Sequence, residues 1–166
     1  MRILTYIGKS LLTCLLLPLL CGKPAATANT VPPATAMQDS VTINLDQYQW
    51  KNRLLLLFAP SEKSRELSAQ LKQLQQEAAK VQDRDLKVFS FVEKGTSHAG
   101  QLPVTVGSAQ TIRKRYNVEG NETLLLLIGK DGGLKMKDKM PVATSKVYQL
   151  IDSMPMRRRE MKKDPD

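Results

Sequence analysis

Two short leucine-rich runs constrain the fold of this chain more than any other feature. They are RLLLLF at residues 53–58 and TLLLLI at residues 123–128. The first run is ended by Ala59 and Pro60. A short, continuous apolar run that stops at turn residues is typical of a strand buried on both faces. We therefore predict two central strands of a sheet that has helices packed against it.

The segment between the runs predicts a helix and another buried strand. Ser61 is a suitable N-cap, and apolar residues follow it at the spacings of one long amphipathic helix. These residues are Leu67, Leu71, Leu74, Ala78 and Val81. Residues 86–92 place apolar side chains at both parities, which predicts a strand covered on both faces. Because a helix connects the two strands, we expect them to pair in parallel.

The rest of the chain predicts a loop, a short helix, a hairpin and a last helix. Residues 93–107 contain three glycines and no period, so we predict a loop, followed by a short helix at 108–115 that Ser108 caps. Asp-Gly in the turn at 130–133 predicts a hairpin with a returning strand at 134–137. An apolar stripe then predicts a helix that Pro155 stops. The stripe consists of Val147, Leu150, Ile151 and Met154.

This order of elements is that of an α/β thioredoxin-like fold. We expect a central mixed sheet of about four strands flanked by helices, with the strand hairpin and a helix at the C-terminal end. We assign residues 45–156 to this domain, 29–44 to a flexible leader and 157–166 to a basic C-terminal tail. The part remaining after residue 28 has the size of one domain.

The N-terminus has the three parts of a secretory signal peptide. Arg2 and Lys9 precede the apolar stretch at 11–21, and small residues follow at 25–28. We predict cleavage before Asn29, with a weaker alternative after Ala36. A lipoprotein cut at Cys21 is disfavoured because Leu20 is bulky at a position where such sites take small residues.

Cleavage at Asn29 would remove both cysteines of the chain, Cys14 and Cys21. The mature protein would then have neither disulfides nor a thiol nucleophile. Beyond the signal no apolar stretch approaches the length that crosses a bilayer, so we expect no transmembrane segment after cleavage. The expected location is periplasmic or secreted.

Basic residues are concentrated near the C-terminus. Residues 130–163 contain ten basic and four acidic residues. Such an excess serves as a solvated surface or as a binding face for polyanions or membrane surfaces. We expect the partner to be a protein or a polyanionic component of the cell envelope and not nucleic acid. We expect no cofactor.

Residues 116–132, YNVEGNETLLLLIGKDG, resemble the thioredoxin and peroxiredoxin segment in which Tyr-Gly-Val-x-Gly-x-Pro-Thr precedes an apolar strand and a Lys-Asp-Gly turn. Two functional positions differ. Glu122 stands where that family has its cis-proline, so we expect a trans peptide there. Ser61-Glu62-Lys63-Ser64 stands where its redox cysteines lie, and a serine hydroxyl does not perform disulfide exchange.

A second resemblance covers residues 45–161. It rests on Arg53 with the LLLLFAP run after it, Arg84-Asp85-Leu86, residues 128–132 and IDSMPMRRREM at 151–161, together with Tyr48, Trp50 and Lys51 near the start. The chain resembles a family of thioredoxin-like domains of unknown function found in exported bacterial proteins. Related domains occur in sushi-repeat-containing and coiled-coil-domain matrix proteins. The resemblance implies an exported thioredoxin-like domain that usually lacks a redox pair, and it implies no activity.

Several side chains are candidates for a site, each with a structural alternative. Ser61, Ser64 and Glu122 are weak catalytic candidates, because a serine at the start of an amphipathic helix is more often a cap and a glutamate at a strand entry is more often an exposed acid. The candidates for ligand binding comprise two aromatic residues and three arginines. They are Tyr48, Trp50, Arg157, Arg158 and Arg159.

His98 is the only histidine, and we predict a solvated loop residue and no metal site. The function that we predict is a binding module of the cell envelope or extracellular space. One alternative is an enzyme of oxidative-stress defence with a non-thiol site. The other is a polyanion or membrane-surface binder that acts through the basic C-terminal third.

Overall fold

The two leucine-rich runs form adjacent antiparallel strands in the middle of a six-stranded sheet. The structure is a computed structural model that describes residues 40–163. Its strands are β1 (Arg53–Ser61), β2 (Leu86–Lys94), β3 (Ser97–Ala99), β4 (Leu102–Val104), β5 (Leu124–Ile128) and β6 (Leu134–Lys139). Its helices are a 3₁₀ helix (Leu45–Tyr48), α1 (Arg65–Gln76), α2 (Ala78–Asp83), α3 (Val106–Arg115), α4 (Thr144–Ser153) and α5 (Pro155–Lys163).

The strand order is β4-β3-β2-β1-β5-β6. β1 pairs in parallel with β2, as the strand–helix–strand pattern predicts, and antiparallel with β5. The other neighbouring strands are antiparallel. β1 and β5 are therefore central strands, and each of their apolar side chains enters one of two cores.

The sheet separates two apolar cores. On one face Leu55 and Leu57 pack with Leu67 of α1 and with Val147 and Ile151 of α4. The other core contains the alternate side chains of β1 and β5, two phenylalanines of β2 and residues of α3. Its main members are Leu54, Leu56, Phe58, Phe89, Phe91, Ile112, Leu124 and Leu126. The continuous leucine runs are explained by burial on both faces.

The sheet exceeds the expected four strands because β3 and β4 lie in the segment predicted as a loop. His98, predicted as a solvated loop residue, is in β3 opposite Ser90 and Pro103 and is half-buried. The end of the predicted flexible leader also joins the sheet, since the N–H of Val41 donates to the carbonyl of Pro103 over 2.8 Å. Short edge strands of this kind leave little sequence pattern.

The predicted long helix is divided in two. α1 ends at Gln76, and Glu77 has a non-helical backbone with its N–H bonded to the carbonyl of Leu74. The helix starts later than predicted because β1 continues through Ser61, so Ser64 is the N-cap residue. α3, in contrast, begins earlier than predicted, at Val106, and the side chain of Thr105 caps it instead of Ser108.

The predicted basic tail is helical over its described part, residues 157–163. α4 ends before Pro155 as expected, but Pro155 is also the first residue of α5, which continues to Lys163. Proline is favoured at the first helical position because its fixed φ suits the helix and its missing N–H would have no intrahelical partner there. Pro155 therefore ends one helix and starts the next. The predicted signal peptide and its cysteines lie outside the described residues.

Candidate functional site

The sheet has two ends, and the candidate residues are divided between them. The Ser61 edge contains the C-terminal ends of β1 and β2 and the N-terminal end of β5. The Arg53 edge contains the opposite ends of the same strands. The thioredoxin resemblance aligns Ser61–Ser64 with the redox cysteines of that family, so the position of redox chemistry in those proteins corresponds to the Ser61 edge.

The two candidate serines take part in local turn bonds. The Oγ of Ser64 accepts the N–H of Ser61 over 3.3 Å, and the Oγ of Ser61 accepts the N–H of Lys63 over 3.2 Å. Neither hydroxyl bonds to a described histidine or carboxylate that could act as a general base. The geometry at Ser61 and Ser64 is therefore that of a turn that enters a helix.

Glu122 also stabilises a turn. Its carboxylate accepts the N–H of Glu119 over 2.8 Å. The peptide bond before Glu122 is trans as predicted, since Met140–Pro141 is the only cis bond among residues 40–163. The structure places Glu122 at the same sheet edge as Ser61 but does not join the two side chains through a hydrogen bond.

The most buried charge at the Ser61 edge is Arg113, which the sequence analysis missed. Its guanidinium donates to three carbonyls, those of Ala59 at 2.6 Å, Phe91 at 3.1 Å and Glu119 at 2.9 Å. Burial lowers the pKa of Arg113, and the nearby Glu93 opposes that shift. Its position four residues after Ala109, on the inner side of α3, is the signal that could have identified it.

Arg113 connects β1, β2 and the turn before β5. Two grooves adjoin it, with volumes of about 130 and 570 Å³. Both are lined by Glu93, Gln110 and Arg113. Neither groove is lined by Ser61, Ser64 or Glu122. The candidate catalytic residues therefore do not converge on either groove.

A cluster of ion pairs organises the Arg53 edge. Arg53 is 1% exposed and places Nη1 3.1 Å from Oε2 of Glu160 and 3.0 Å from the carbonyl of Arg84. Lys130 places its Nζ 2.7 Å from Glu160 and 2.8 Å from Asp85. These contacts join the beginnings of β1 and β2, the end of β5 and α5.

Arg157 extends the cluster and is not in a solvated tail. It is buried, and Nη1 donates to the carbonyl of Asp83 over 2.9 Å while Nε lies 3.5 Å from a carboxylate oxygen of Asp152. Asp152 also binds Arg84 at 2.7 Å. Carboxylates of this chain therefore contact the guanidinium of Arg157, which the sequence suggested as a candidate for ligand binding together with Arg158 and Arg159.

The ion pairs shift the pKa values of Glu160 and Lys130 in the directions that favour their charged forms. Burial raises the pKa of Glu160, but hydrogen bonds from Lys130 and Arg53 outweigh burial and hold that pKa below its usual value. Burial likewise opposes the charge of Lys130, and its contacts with Asp85 and Glu160 raise its pKa overall. Both shifts favour the charged forms of Glu160 and Lys130 near neutral pH.

The two aromatic candidates differ in their surroundings. The ring of Tyr48 packs edge-on against Phe89, with centroids 5.4 Å apart. Trp50 is 64% exposed, and its φ of +64° lies in the left-handed region, which is rare for a bulky residue. A hydrogen bond of 2.6 Å from its N–H to the carbonyl of Lys130 holds this conformation. Of the pair, Trp50 is available to a partner.

The remaining basic candidates lie on the surface. Arg158 and Arg159 are exposed on α5, as are Lys162 and Lys163. On the hairpin, Lys137 and Lys139 are exposed, whereas Lys130 and Lys135 are used in ion pairs. The basic side chains of α5 and of the hairpin that are exposed and outside these ion pairs are therefore the four of α5 and those of Lys137 and Lys139.

Two further observations concern metals and membranes. Residues 40–163 contain no group of three or more His, Cys, Asp or Glu side chains arranged to hold a metal ion. Within the same range no helix has the length and hydrophobicity to cross a membrane.

Two animal proteins contain sequence similar to this chain. Coiled-coil domain-containing protein 80 of Danio rerio is 26% identical over 133 residues, which are 70% of this chain and 15% of that protein. Sushi repeat-containing protein SRPX2 of Mus musculus is 24% identical over 140 residues, which are 80% of this chain and 30% of that protein. The chain thus spans less than a third of the length of either relative.

Solved structures with a similar backbone include two peroxiredoxins. The reduced 2-Cys peroxiredoxin of Plasmodium vivax has a TM-score of 0.54 at 16% identity and covers 71% of this chain and 85% of its own. The mitochondrial 2-Cys peroxiredoxin of Plasmodium falciparum has a TM-score of 0.53 at 12% identity and covers 75% of this chain and 85% of its own. At such identities the likeness shows the fold alone.

The family described as "Domain of unknown function (DUF4174)" matches residues 44–160. This range includes all six strands and the ion pairs of the Arg53 edge. The thioredoxin-like fold and the family predicted from the sequence are both confirmed. The chain belongs to the DUF4174 family, and its domain has the thioredoxin-like fold.

Proposed function

We propose that this chain is an exported binding module that acts without redox chemistry and recognises its partner through the Arg53 edge. One observation supports this proposal above others. The residues on which the family resemblance rests gather at that edge, where Arg53, Asp85, Lys130 and Glu160 form one ion-pair cluster. The thioredoxin-type redox position lies at the opposite edge.

The ion-pair cluster is not itself a ligand site, because its charges are already paired within the chain. It holds neighbouring surface residues in place. Trp50 is held in its left-handed conformation by Lys130, whose Nζ is bound in the cluster. A conformation of this kind costs about 1–3 kcal/mol and is found most often at functional positions. Tryptophan is one of the residue types that are enriched at binding hot spots, and Trp50 presents its side chain from a fixed backbone.

The alternative of a non-thiol enzyme at Ser61, Ser64 and Glu122 has less support. Both serine hydroxyls and the glutamate carboxylate accept backbone N–H groups in turns. Nucleophilic catalysis by serine needs a base within hydrogen-bond reach of the hydroxyl. The described contacts of the two serines include none.

A capture experiment with matched variants tests the proposal. The processed full-length protein is immobilised and exposed to material from the envelope and medium of its own cells. We expect the retained partner to be lost with Trp50→Ser and kept with the combined Ser61→Ala, Ser64→Ala and Glu122→Gln variant. Loss of the partner only with the second variant would contradict the proposal.

A second candidate function is weak binding of polyanions. The observation that favours it is the exposure of Arg158, Arg159, Lys162 and Lys163, while Glu160, the acid among them, is engaged with Arg53 and Lys130. Glu160 therefore does not neutralise these four basic side chains of α5. Heparin and anionic vesicles are suitable probes, because such binding falls as salt is added.

A further inference from the structure

The Arg53 edge contains a small cleft that the ion-pair cluster does not fill. The cleft lies between the 3₁₀ helix, the C-terminal end of α3 and the turn after β5, and its volume is about 120 Å³. That volume is several times what one water molecule needs. Leu54 and Ile128 line its apolar part, and Tyr48 and Tyr116 contribute aromatic rings.

The charges of this cleft are compensated within the chain. Arg115 places Nη1 2.9 Å from a carboxylate oxygen of Asp46, and Lys135 places its Nζ 2.6 Å from Asp131. Both acids and Arg115 line the cleft. A cleft whose charges are paired has no excess charge for an anion or a cation, so its chemistry favours a neutral ligand.

Two amide side chains supply hydrogen-bonding groups. Gln49 donates through Nε2 to the carbonyl of Asp131 over 3.0 Å, and Asn52 donates through Nδ2 to the carbonyl of Asp85 over 3.3 Å. These bonds fix both amides. Among the contacts of residues 40–163, neither amide oxygen accepts a hydrogen bond. Two oriented acceptors therefore remain for hydroxyl or N–H donors of a ligand.

The aromatic rings are also fixed. Tyr48 packs against Phe89, and the guanidinium carbon of Arg115 lies 5.9 Å from the centroid of the Tyr116 ring. Burial raises the pKa of Tyr116, so its hydroxyl stays protonated and able to donate at neutral pH. Fixed side chains reduce the entropy lost when a ligand binds.

We propose that this cleft binds one ring of a neutral saccharide, with exposed Trp50 beside it as a stacking platform for the adjoining ring. A sugar ring presents an apolar C–H face and a rim of hydroxyl groups, which match the aromatic rings and amide oxygens of the cleft. Trp50 directly follows Gln49 in the chain and is 64% exposed. The inference rests on the proposed function, since it names the ligand class for the same edge.

The single tryptophan makes a direct test possible. Trp50 is the only tryptophan, so the tryptophan fluorescence of the protein after signal removal comes from the residue that follows the cleft residue Gln49. We would titrate it with chitotetraose and maltotetraose as neutral probes and with a heparin tetrasaccharide as an anionic probe. We expect a saturable change with at least one neutral probe, at a lower concentration than with the heparin fragment.

Matched variants locate the binding. Gln49→Ala and Asn52→Ala each remove one acceptor and should weaken binding about fivefold, the effect of losing one hydrogen bond of average strength. Gln110→Ala, in the groove at the Ser61 edge, should leave the affinity unchanged. Thermal unfolding of each variant establishes that the fold is retained.

The outcomes separate this inference from the proposed function. Saturable binding of a neutral probe that weakens with Gln49→Ala and Asn52→Ala supports the saccharide cleft. It is overturned by no response to either neutral probe, by binding of the heparin fragment alone, or by binding that Gln49→Ala and Asn52→Ala leave unchanged. If any of these results accompanies capture of a partner that depends on Trp50, the binding function stands and only the ligand class is wrong.

Discussion

Arg53 and Glu160 are 107 residues apart in the chain, and their side chains meet at the edge of the sheet with Nη1 and Oε2 3.1 Å apart. Arg53 begins β1, and Glu160 lies in α5, so this pair fixes the last helix to the start of the central strand. Lys130 shares the same carboxylate at 2.7 Å. The helix that sequence patterns suggest to be a tail is therefore part of the fold.

Removal of the carboxylate should destabilise the protein. Glu160→Gln leaves Arg53 and Lys130 without their shared anion, and breaking a pair with a buried partner is strongly destabilising. Because Glu160 is partly exposed, we expect a loss of about 2 kcal/mol in the free energy of unfolding, below the range for fully buried pairs. Urea unfolding of wild type and variant measures this loss.

Glu66→Gln is the matched control, since Glu66 is exposed on α1. Its effect should stay within about 0.5 kcal/mol, as for surface substitutions in general. Equal stability of the two variants would show that the ion-pair cluster contributes nothing to folding.

Acid should remove the contribution of Glu160. Its pKa is lowered in the folded protein from an ordinary value of 4.5, so its stabilisation is present above that pH and is lost as the pH falls through the folded value. We expect the difference in stability between wild type and Glu160→Gln to be constant from pH 7 to pH 5 and to shrink below about pH 4.5. A difference that grows on acidification would refute the ion-pair account.

The Arg113 clamp at the Ser61 edge, in which one guanidinium bonds carbonyls of both β1 and β2, should also contribute to stability. Arg113→Met leaves the carbonyls of Ala59 and Phe91 without their donor in a buried environment. Unsatisfied buried acceptors cost about 1–3 kcal/mol each, so we expect a loss of about 3 kcal/mol. Lys114→Met is the control, because Lys114 is exposed on the next position of α3. Comparable thermal midpoints for the two variants would exclude the clamp.

The strands and their partners could be predicted because burial on both faces is visible within a few consecutive residues. Leu54 to Leu57 need no knowledge of the rest of the chain to indicate a central strand. The ion-pair cluster could not be predicted in this way. Nothing near Arg157 in the sequence shows that Asp83 pairs with it, because 74 residues separate the two.

Pro155 shows a second limit. Proline is compatible with the first turn of a helix and incompatible with its interior, so the same residue can end one helix or begin another. The choice depends on whether the following residues find partners. Arg157 finds one at the end of α2, and Glu160 finds one at the start of β1. Arg113 was missed because a basic residue on a helix is usually solvated.

The exposed arginines of α5 should control binding to polyanions. Arg158→Ser combined with Arg159→Ser should elute from heparin at lower salt than wild type, because these guanidiniums are exposed and free to bind sulfate. Arg157 is left intact, since its loss would disturb the cluster. Lys63→Ser with Lys72→Ser has the same net charge and should elute close to wild type. If both double variants elute at the same salt concentration, retention on heparin depends on net charge alone.

Processing should remove the N-terminal segment. Because Ala26 and Ala28 precede Asn29 at a suitable peptidase site, the intact mass of the exported product should begin at Asn29. The product should neither reduce insulin disulfides nor consume peroxide with a thiol reductant. A lipidated species that begins at Cys21 would mean membrane anchoring.

The central claim is that partners bind at the Arg53 edge of a non-redox domain. Hydrogen–deuterium exchange of the processed protein, with and without the partner captured through it, measures this most directly. We predict protection at residues 48–52 and 129–134 and on α5. Protection confined to residues 61–64, 93–97 and 119–123 would contradict the claim and assign the function to the Ser61 edge.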